Sequence, residues 1–251
     1  MEFFLFNITL ILLGGLLGSF ASMLIYRLPL SEKEVSIIKP RSFCPNCKEQ
    51  LSIWQLLPFV SFIMARGQCK NCHQKINIMY FVNECLMAFL VLYFTYITFS
   101  SYFISAAMLA IVFILYIQSV IDFQKLLLST PLSFLLIIIG IIINFKWEIF
   151  TISLDALLGL ILGYGILFSI NLLYRIIRSQ DGIGSGDFLF LGGIGSVFGA
   201  SSLGPILLMG SSLTLALHIL KIKTETKLPL GFGIGMASIF YLNMFAWIKY
   251  H

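Results

Sequence analysis

Two sets of residues in this chain have the types and spacing of a reactive or metal-binding site. The first is Gly182, Ile183, Gly184, Ser185, Gly186, Asp187, a glycine-rich hexapeptide that ends in a carboxylate and runs straight into the apolar stretch beginning at Phe188. An ionised side chain in hydrocarbon is expensive, so an acid in that position faces a water-filled cavity, finds a partner or does chemistry. Read alone, Asp187 has a plainer explanation as a helix N-cap, because glycine turns at helix starts are common. A second acid, Asp122, closes another apolar stretch and changes the weighing.

Two carboxylates a few ångströms apart cannot both ionise easily, so such a pair shares a proton near neutral pH. That supplies an acid and a base in one place. The base form takes a proton from water as it attacks a peptide carbonyl, and the protonated partner donates to the carbonyl oxygen, which is aspartic-protease chemistry. Gly182, Gly184 and Gly186 suit an approaching extended peptide, and they allow positive φ in the loop. Glu84, one turn into another apolar block, is a secondary candidate.

The second set is Cys44, Pro45, Asn46, Cys47 and Cys69, Lys70, Asn71, Cys72, two CxxC pairs with 21 residues between them. Four thiolates at this spacing close a tetrahedral zinc site, and a short polar segment gains folding free energy from the ion. An all-cysteine set leaves no open coordination position, so the metal is expected to be structural. Thiol redox chemistry and metal-free packing are the other readings, and a disulfide is disfavoured in a reducing compartment. Cys85 stands apart and is expected to be a buried apolar residue.

The elements that must position these groups are apolar helices. Of 251 residues 59% are hydrophobic and 11% charged, against roughly 25% charged in a soluble domain. The chain is therefore expected to be an all-α polytopic membrane protein. Phe3 to Tyr26 is long enough to cross a core of about 30 Å. Its length and its acidic Glu2 argue against a signal peptide, so it is expected to stay in the mature protein. Its Gly14 and Gly18 form a GxxxG pair for close helix packing. Residues 27–78 are polar and basic. Further apolar blocks run at 79–99, 102–121, 126–145, 150–173, 188–202, 203–220 and 229–248, which gives about eight transmembrane helices. The glycine-rich pair from Phe188 to Leu220 is also compatible with a broken or re-entrant segment. The expected organisation is a first crossing over 1–26, a small cytoplasmic zinc-binding loop domain with four cysteine ligands over 27–78, and a seven-helix membrane domain over 79–251.

If the 27–78 loop is cytoplasmic, Lys125, Arg175, Arg178, Lys221, Lys223 and Lys227 are cytoplasmic too, leaving Lys146 and Lys249 outside. That places fourteen of the sixteen basic residues inside, as the positive-inside rule favours. Both termini then lie outside, and Asp122 and Asp187 share a depth at the cytoplasmic edge. The net charge of +5 is used in these loops, and no nucleic-acid site is expected.

The ordered set Gly18, Ser19, Phe20; Tyr26, Arg27, Leu28, Pro29; Cys44 to Cys47; Leu57, Pro58; Gly67; Cys69 to Cys72; Tyr80, Glu84; Asp122; Gly182 to Asp187; and Pro229, Leu230, Gly231 resembles the bacterial type IV prepilin peptidases, relatives of the GxGD aspartyl proteases. The resemblance spans nearly the whole chain. It implies Asp122 and Asp187 as the catalytic pair. It also implies prepilin or pseudopilin precursors as partners, cut after a glycine at the cytoplasmic face of the bacterial inner membrane. A second activity follows from it, N-methylation of the new terminus with S-adenosylmethionine, associated with the cysteine-containing region. Two positions depart from the family pattern: Leu132 follows Pro131 where an acid or Asn is usual, and Leu189 stands where Lys is usual. Competing readings are an inactive membrane scaffold for pilus or pseudopilus assembly, and a proton-coupled transporter that uses the same acids. Lipids are the other expected partners, and oligomeric state is not readable.

Overall fold

A computed structural model describes residues 2–30, 39, 41–99, 101–220 and 228–250. Lys33, Lys221, Lys223 and Lys227, four of the basic residues expected inside, lie outside the described residues. Among those residues there are nine α-helices, one 3-10 turn and two isolated β-bridges. Seven of the helices are long and apolar enough to cross a membrane. The all-α polytopic expectation holds, with one difference in the eighth crossing.

The chain divides into two compact units. The first, Met1–Ser105, contains α1 (Glu2–Arg27), a polar segment with a 3-10 turn (Ile53–Leu56) and the short α2 (Val60–Met64), and then α3 (Met79–Ile97). Helices α1 and α3 pack along the expected glycine pair. A side chain at Gly14 would run into the α3 backbone at Ala88, and one at Gly18 into Asn83 and Glu84. Bare backbone lets the two helices approach, and the apolar exterior of each is left for lipid. The buried Asn83 amide donates to the Ser22 hydroxyl at 2.9 Å across this seam. Cys85 departs from expectation: it is exposed on the outer side of α3, where an apolar thiol is well tolerated by lipid.

The second unit, Ala106–His251, holds most of α4 (Tyr102–Lys125), then α5 (Thr130–Trp147), α6 (Ser153–Arg178), α7 (Ser185–Phe198), α8 (Ala200–Ile219) and α9 (Leu230–Tyr250). Helix α7 is its core: from Phe188 to Phe198 every residue but Leu189 is buried. Its glycines allow this. Gly195 meets Gly159 of α6 backbone to backbone, and Gly193 lies under Leu136 of α5. With 14 residues α7 is about 21 Å long, shorter than a bilayer core, so the stretch expected as a sixth full crossing is a short helix wrapped by its neighbours. It ends at Gly199, whose φ of +85° only glycine adopts without strain. Asp155 of α6 pins this corner, accepting from the Ala200 N–H at 3.2 Å and the Thr151 hydroxyl at 2.8 Å.

Candidate active site and metal centre

Asp122 lies in the last turn of α4. The helix runs one turn further than the apolar pattern suggests, to Lys125, and Leu126 then turns out of it with φ of +54°. Asp122 is 6% exposed, and its Oδ2 accepts the N–H of Phe232 at 2.8 Å from the first turn of α9. The connection to α5 is held by Gln118, fully buried one turn earlier. Its amide nitrogen donates to the Ser129 carbonyl at 3.0 Å, and its amide oxygen accepts the Ser129 N–H at 2.7 Å. This clamp sets the loop that carries Leu128.

Leu128 connects the two acid-bearing elements. A Cβ at Gly186 would stand 3.0 Å from the Cβ of Leu128, and one at Gly231 would stand 3.0 Å from its methyl groups and 3.1 Å from the carboxyl carbon of Asp122. Gly186 and Gly231 thus leave room for one shared side chain. Asp187 follows Gly186 in the first turn of α7, where the helix dipole favours negative charge. Its Oδ1 is enclosed and accepts no hydrogen bond, and the charge of Asp122 acts on it. The structure therefore brings the two sequence-selected acids into one electrostatic neighbourhood.

The glycine loop works differently from expectation. Gly182, Gly184 and Gly186 do not adopt positive φ; among the described glycines only Gly67 and Gly199 do. They are small because the loop is tightly packed: a Cβ at Gly182 would come within 2.9 Å of the Tyr174 ring. Asn171 of α6 fixes this loop, its Oδ1 accepting the N–H groups of Gly182 at 2.8 Å and Ile183 at 3.0 Å. Its Nδ2 donates to Asp181 at 2.9 Å, and Arg175 pairs with the same carboxylate at 2.6 Å. The Asn171 amide and the Arg175 guanidinium hold Asp181 below the usual carboxylate range. Asn171 and Gln118 are functional residues that sequence reasoning misses, because one amide in an apolar helix carries no spacing signal.

The four cysteines of the first unit converge. Their sulfur atoms all lie within 4.8 Å of one another, with Cys44 to Cys72 at 3.9 Å and Cys47 to Cys69 at 4.0 Å. Tetrahedral ligands at Zn–S of about 2.3 Å are separated by about 3.8 Å, so the set fits a zinc ion, and all four thiols are unbridged. The two CxxC turns are copies of one knuckle. In each, the first Cys N–H donates to the carbonyl five residues on, Glu49 or Gln74, and the residue after the second Cys, Lys48 or His73, turns back with positive φ. The amide of Asn46 reaches Cys72 at 3.6 Å and that of Asn71 reaches Cys47 at 3.9 Å, each crossing to the other knuckle. The Gln74 N–H and the Asn46 amide hold the Cys72 thiol down at about 6. Despite the Glu49 N–H, burial and three neighbouring thiols push Cys47 up to about 11. A bound cation removes that conflict, since it favours all four thiolates together.

Glu84 lies in neither cluster. It is 6% exposed on α3, its Oε2 accepts the Phe59 N–H at 2.8 Å, and the Ser19 hydroxyl donates to the same carboxylate.

Residues 108–220 match the type IV leader peptidase family, and residues 12–99 match the bacterial peptidase A24 N-terminal domain. A prepilin leader peptidase/N-methyltransferase of Neisseria gonorrhoeae is 30% identical over 80% of this chain and 77% of its own length. Proteins of the same description from Stutzerimonas stutzeri and Pseudomonas aeruginosa are each 29% identical, covering 92% and 97% of this chain and 88% and 89% of their own. No solved structure matches the chain.

Proposed function

The chain belongs to the type IV leader peptidase family, and from that premise we propose that it is a membrane aspartyl endopeptidase that cuts the leaders from type IV prepilins or pseudopilins and N-methylates the new amino terminus. The observation that carries the peptidase reading is the shared setting of Asp122 and Asp187: two acids on different helices, linked through Leu128, with the charge of one acting on the other.

In this reading Asp122 and Asp187 are the catalytic residues. One oxygen of Asp122 is committed to the Phe232 N–H, and the enclosed Oδ1 of Asp187 is free to hold or give up a proton. The ionised acid takes a proton from water while the water oxygen adds to the scissile carbonyl carbon. The protonated acid gives its proton to the carbonyl oxygen. Collapse of the tetrahedral intermediate breaks the C–N bond, and the leaving amine takes a proton from the pair. Gly182, Gly184 and Gly186 line the approach for the precursor, and cleavage follows a glycine at the cytoplasmic face of the inner membrane. The positive-inside pattern of Lys125, Arg175 and Arg178 supports that orientation. The division into a first crossing, a zinc-binding loop over 27–78 and a seven-helix protease domain belongs to the same proposal. Cys44, Cys47, Cys69 and Cys72 would hold a structural zinc ion that braces the loop. S-adenosylmethionine would supply the methyl group.

The test is co-expression with a pilin-like precursor and intact mass of the product. Wild type should yield a chain shortened at the leader and heavier by about 14 Da for one methyl replacing hydrogen. Asp122→Asn and Asp187→Asn should leave the precursor whole while remaining folded. Cleavage by both single variants would refute the aspartate assignment.

A further inference from the structure

The first unit contains a cavity of about 610 Å³ that the peptidase chemistry does not use. This lies within the roughly 300–1,000 Å³ typical of small-molecule sites. Its walls come from α1, the cysteine knuckles, the 3-10 turn, α2 and the start of α3. We propose that this cavity is the binding site for the sulfonium methyl donor, with Glu84 as the carboxylate that faces its positive charge. The inference rests on the methyl-transfer part of the function proposed above and adds where that ligand sits.

Three features fit the ligand. First, the cavity has an aromatic wall of Tyr26, Phe43, Phe62, Tyr80 and Phe81. Phe62 and Phe81 stack at 5.2 Å. Such faces accept a heteroaromatic base and also attract an alkylated cation. Second, Glu84 lines the cavity and is nearly sealed from solvent. A buried carboxylate is costly unless compensated, and its partners in hand are neutral, the Phe59 N–H and the Ser19 hydroxyl. A bound sulfonium or ammonium group supplies the missing opposite charge. Third, Arg27 and Lys75 also line the cavity, so it offers both signs, as the zwitterionic amino-acid end of S-adenosylmethionine requires. Gln55, Gln68 and Asn77 add neutral donors and acceptors suited to a purine edge and ribose hydroxyls.

Glu84 also has a structural task. Phe59 is held at φ of +62°, a region that bulky side chains rarely adopt, and its N–H is tied to Glu84. A purely structural Glu84 would be indifferent to the charge on a ligand. A donor-binding Glu84 would not.

The experiment uses the full-length zinc-loaded protein in detergent, and its readout is binding. Methyl-tritiated S-adenosylmethionine is photo-crosslinked to wild type and the label mapped, and dissociation constants are measured for this donor and for S-adenosylhomocysteine, which is neutral at sulfur. The expected label falls between residues 43 and 84. Glu84→Gln should weaken the donor by about tenfold or more, the scale of one lost charge-assisted interaction, while the neutral product changes by no more than about threefold. Label confined to 106–251, or equal weakening of both ligands, would overturn the cavity assignment and leave methyl transfer standing. Absence of donor binding by a wild type that still cleaves leaders would refute both. The wild-type label map needs no variant, so misfolding of Glu84→Gln does not protect the proposal.

Discussion

The side-chain oxygen of Asn171 accepts the N–H of Gly182 at 2.8 Å, so the loop leading to Asp187 is held by an amide from α6. Ile183 hangs from the same oxygen. Asn171→Ala releases both N–H groups and the Asp181 contact together, and an unmet donor in a part-buried place costs about 1–3 kcal/mol. The loop should loosen while the six-helix unit stays folded. Leader cleavage should fall about tenfold or more, with kcat affected more than KM, because the loss is in positioning. Steady-state cleavage with hydrogen exchange at 182–184 checks this. Unchanged exchange there would show that the clamp is redundant.

Asp181 gives this clamp a pH dependence. Its folded-state pKa is depressed by Asn171 and Arg175, so its contribution is fully present above the ordinary carboxylate value and is lost as pH falls through the lower folded value. Protection of the loop from protease should therefore be flat from about pH 8 down to about pH 5 and decline only in stronger acid, below the ordinary aspartate value near 3.9. Asp181→Asn should remove that acid limb and lower protection at neutral pH. Arg175 and Asp181 are both solvent-exposed, so high salt should mimic part of the effect.

How much of this is legible in the sequence depends on whether a signal has a period or a spacing. The crossings are readable because apolar runs of bilayer length have few alternatives, and the observed helices follow them to within a few residues. The cysteines are readable because two CxxC pairs demand a common centre, and Asp122 and Asp187 because charges at the ends of apolar runs stand out. Asn171, Gln118 and Asn144 leave no such trace. Each is a single amide whose partners are backbone groups in another segment, as when Asn144 donates to the carbonyls of Ser196 and Val197. The glycine loop misleads for a related reason. Glycine permits positive φ and also close packing, and only the position of Tyr174 decides which is used at Gly182.

The cysteine knuckles should respond in two grades. Cys44→Ser or Cys72→Ser removes a ligand, so metal content should fall from about one zinc per chain to near zero, and residues 41–78 should become protease-sensitive. Asn46→Ala or Asn71→Ala keeps all four ligands and removes only an amide directed at a sulfur, a change that typically weakens metal affinity about 10–100-fold. Metal analysis during titration with a chelator separates the two grades. Protein prepared without metal whose loop resists protease as well as the zinc form would argue that the knuckles fold without the ion.

Gly231 tests whether the room beside Asp122 matters to the chemistry. An alanine methyl there would press on Leu128 at 3.0 Å and on the Asp122 carboxyl carbon at 3.1 Å, both tighter than ordinary contact. The backbone at Gly231 is already helical, so Gly231→Ala costs no φ strain and should favour the α9 start by a few tenths of a kcal/mol. Any loss of function must then come from crowding. Cleavage should fall by about tenfold, equivalent to about 1.4 kcal/mol of transition-state stabilisation, with thermal stability held or slightly raised. Adding Leu128→Ala removes the Leu128 conflict and leaves the Asp122 conflict in place, so the double variant should recover only part of the activity. Full recovery would mean that Leu128 packing alone carried the effect, and that the Phe232 to Asp122 contact tolerates a displaced carboxylate.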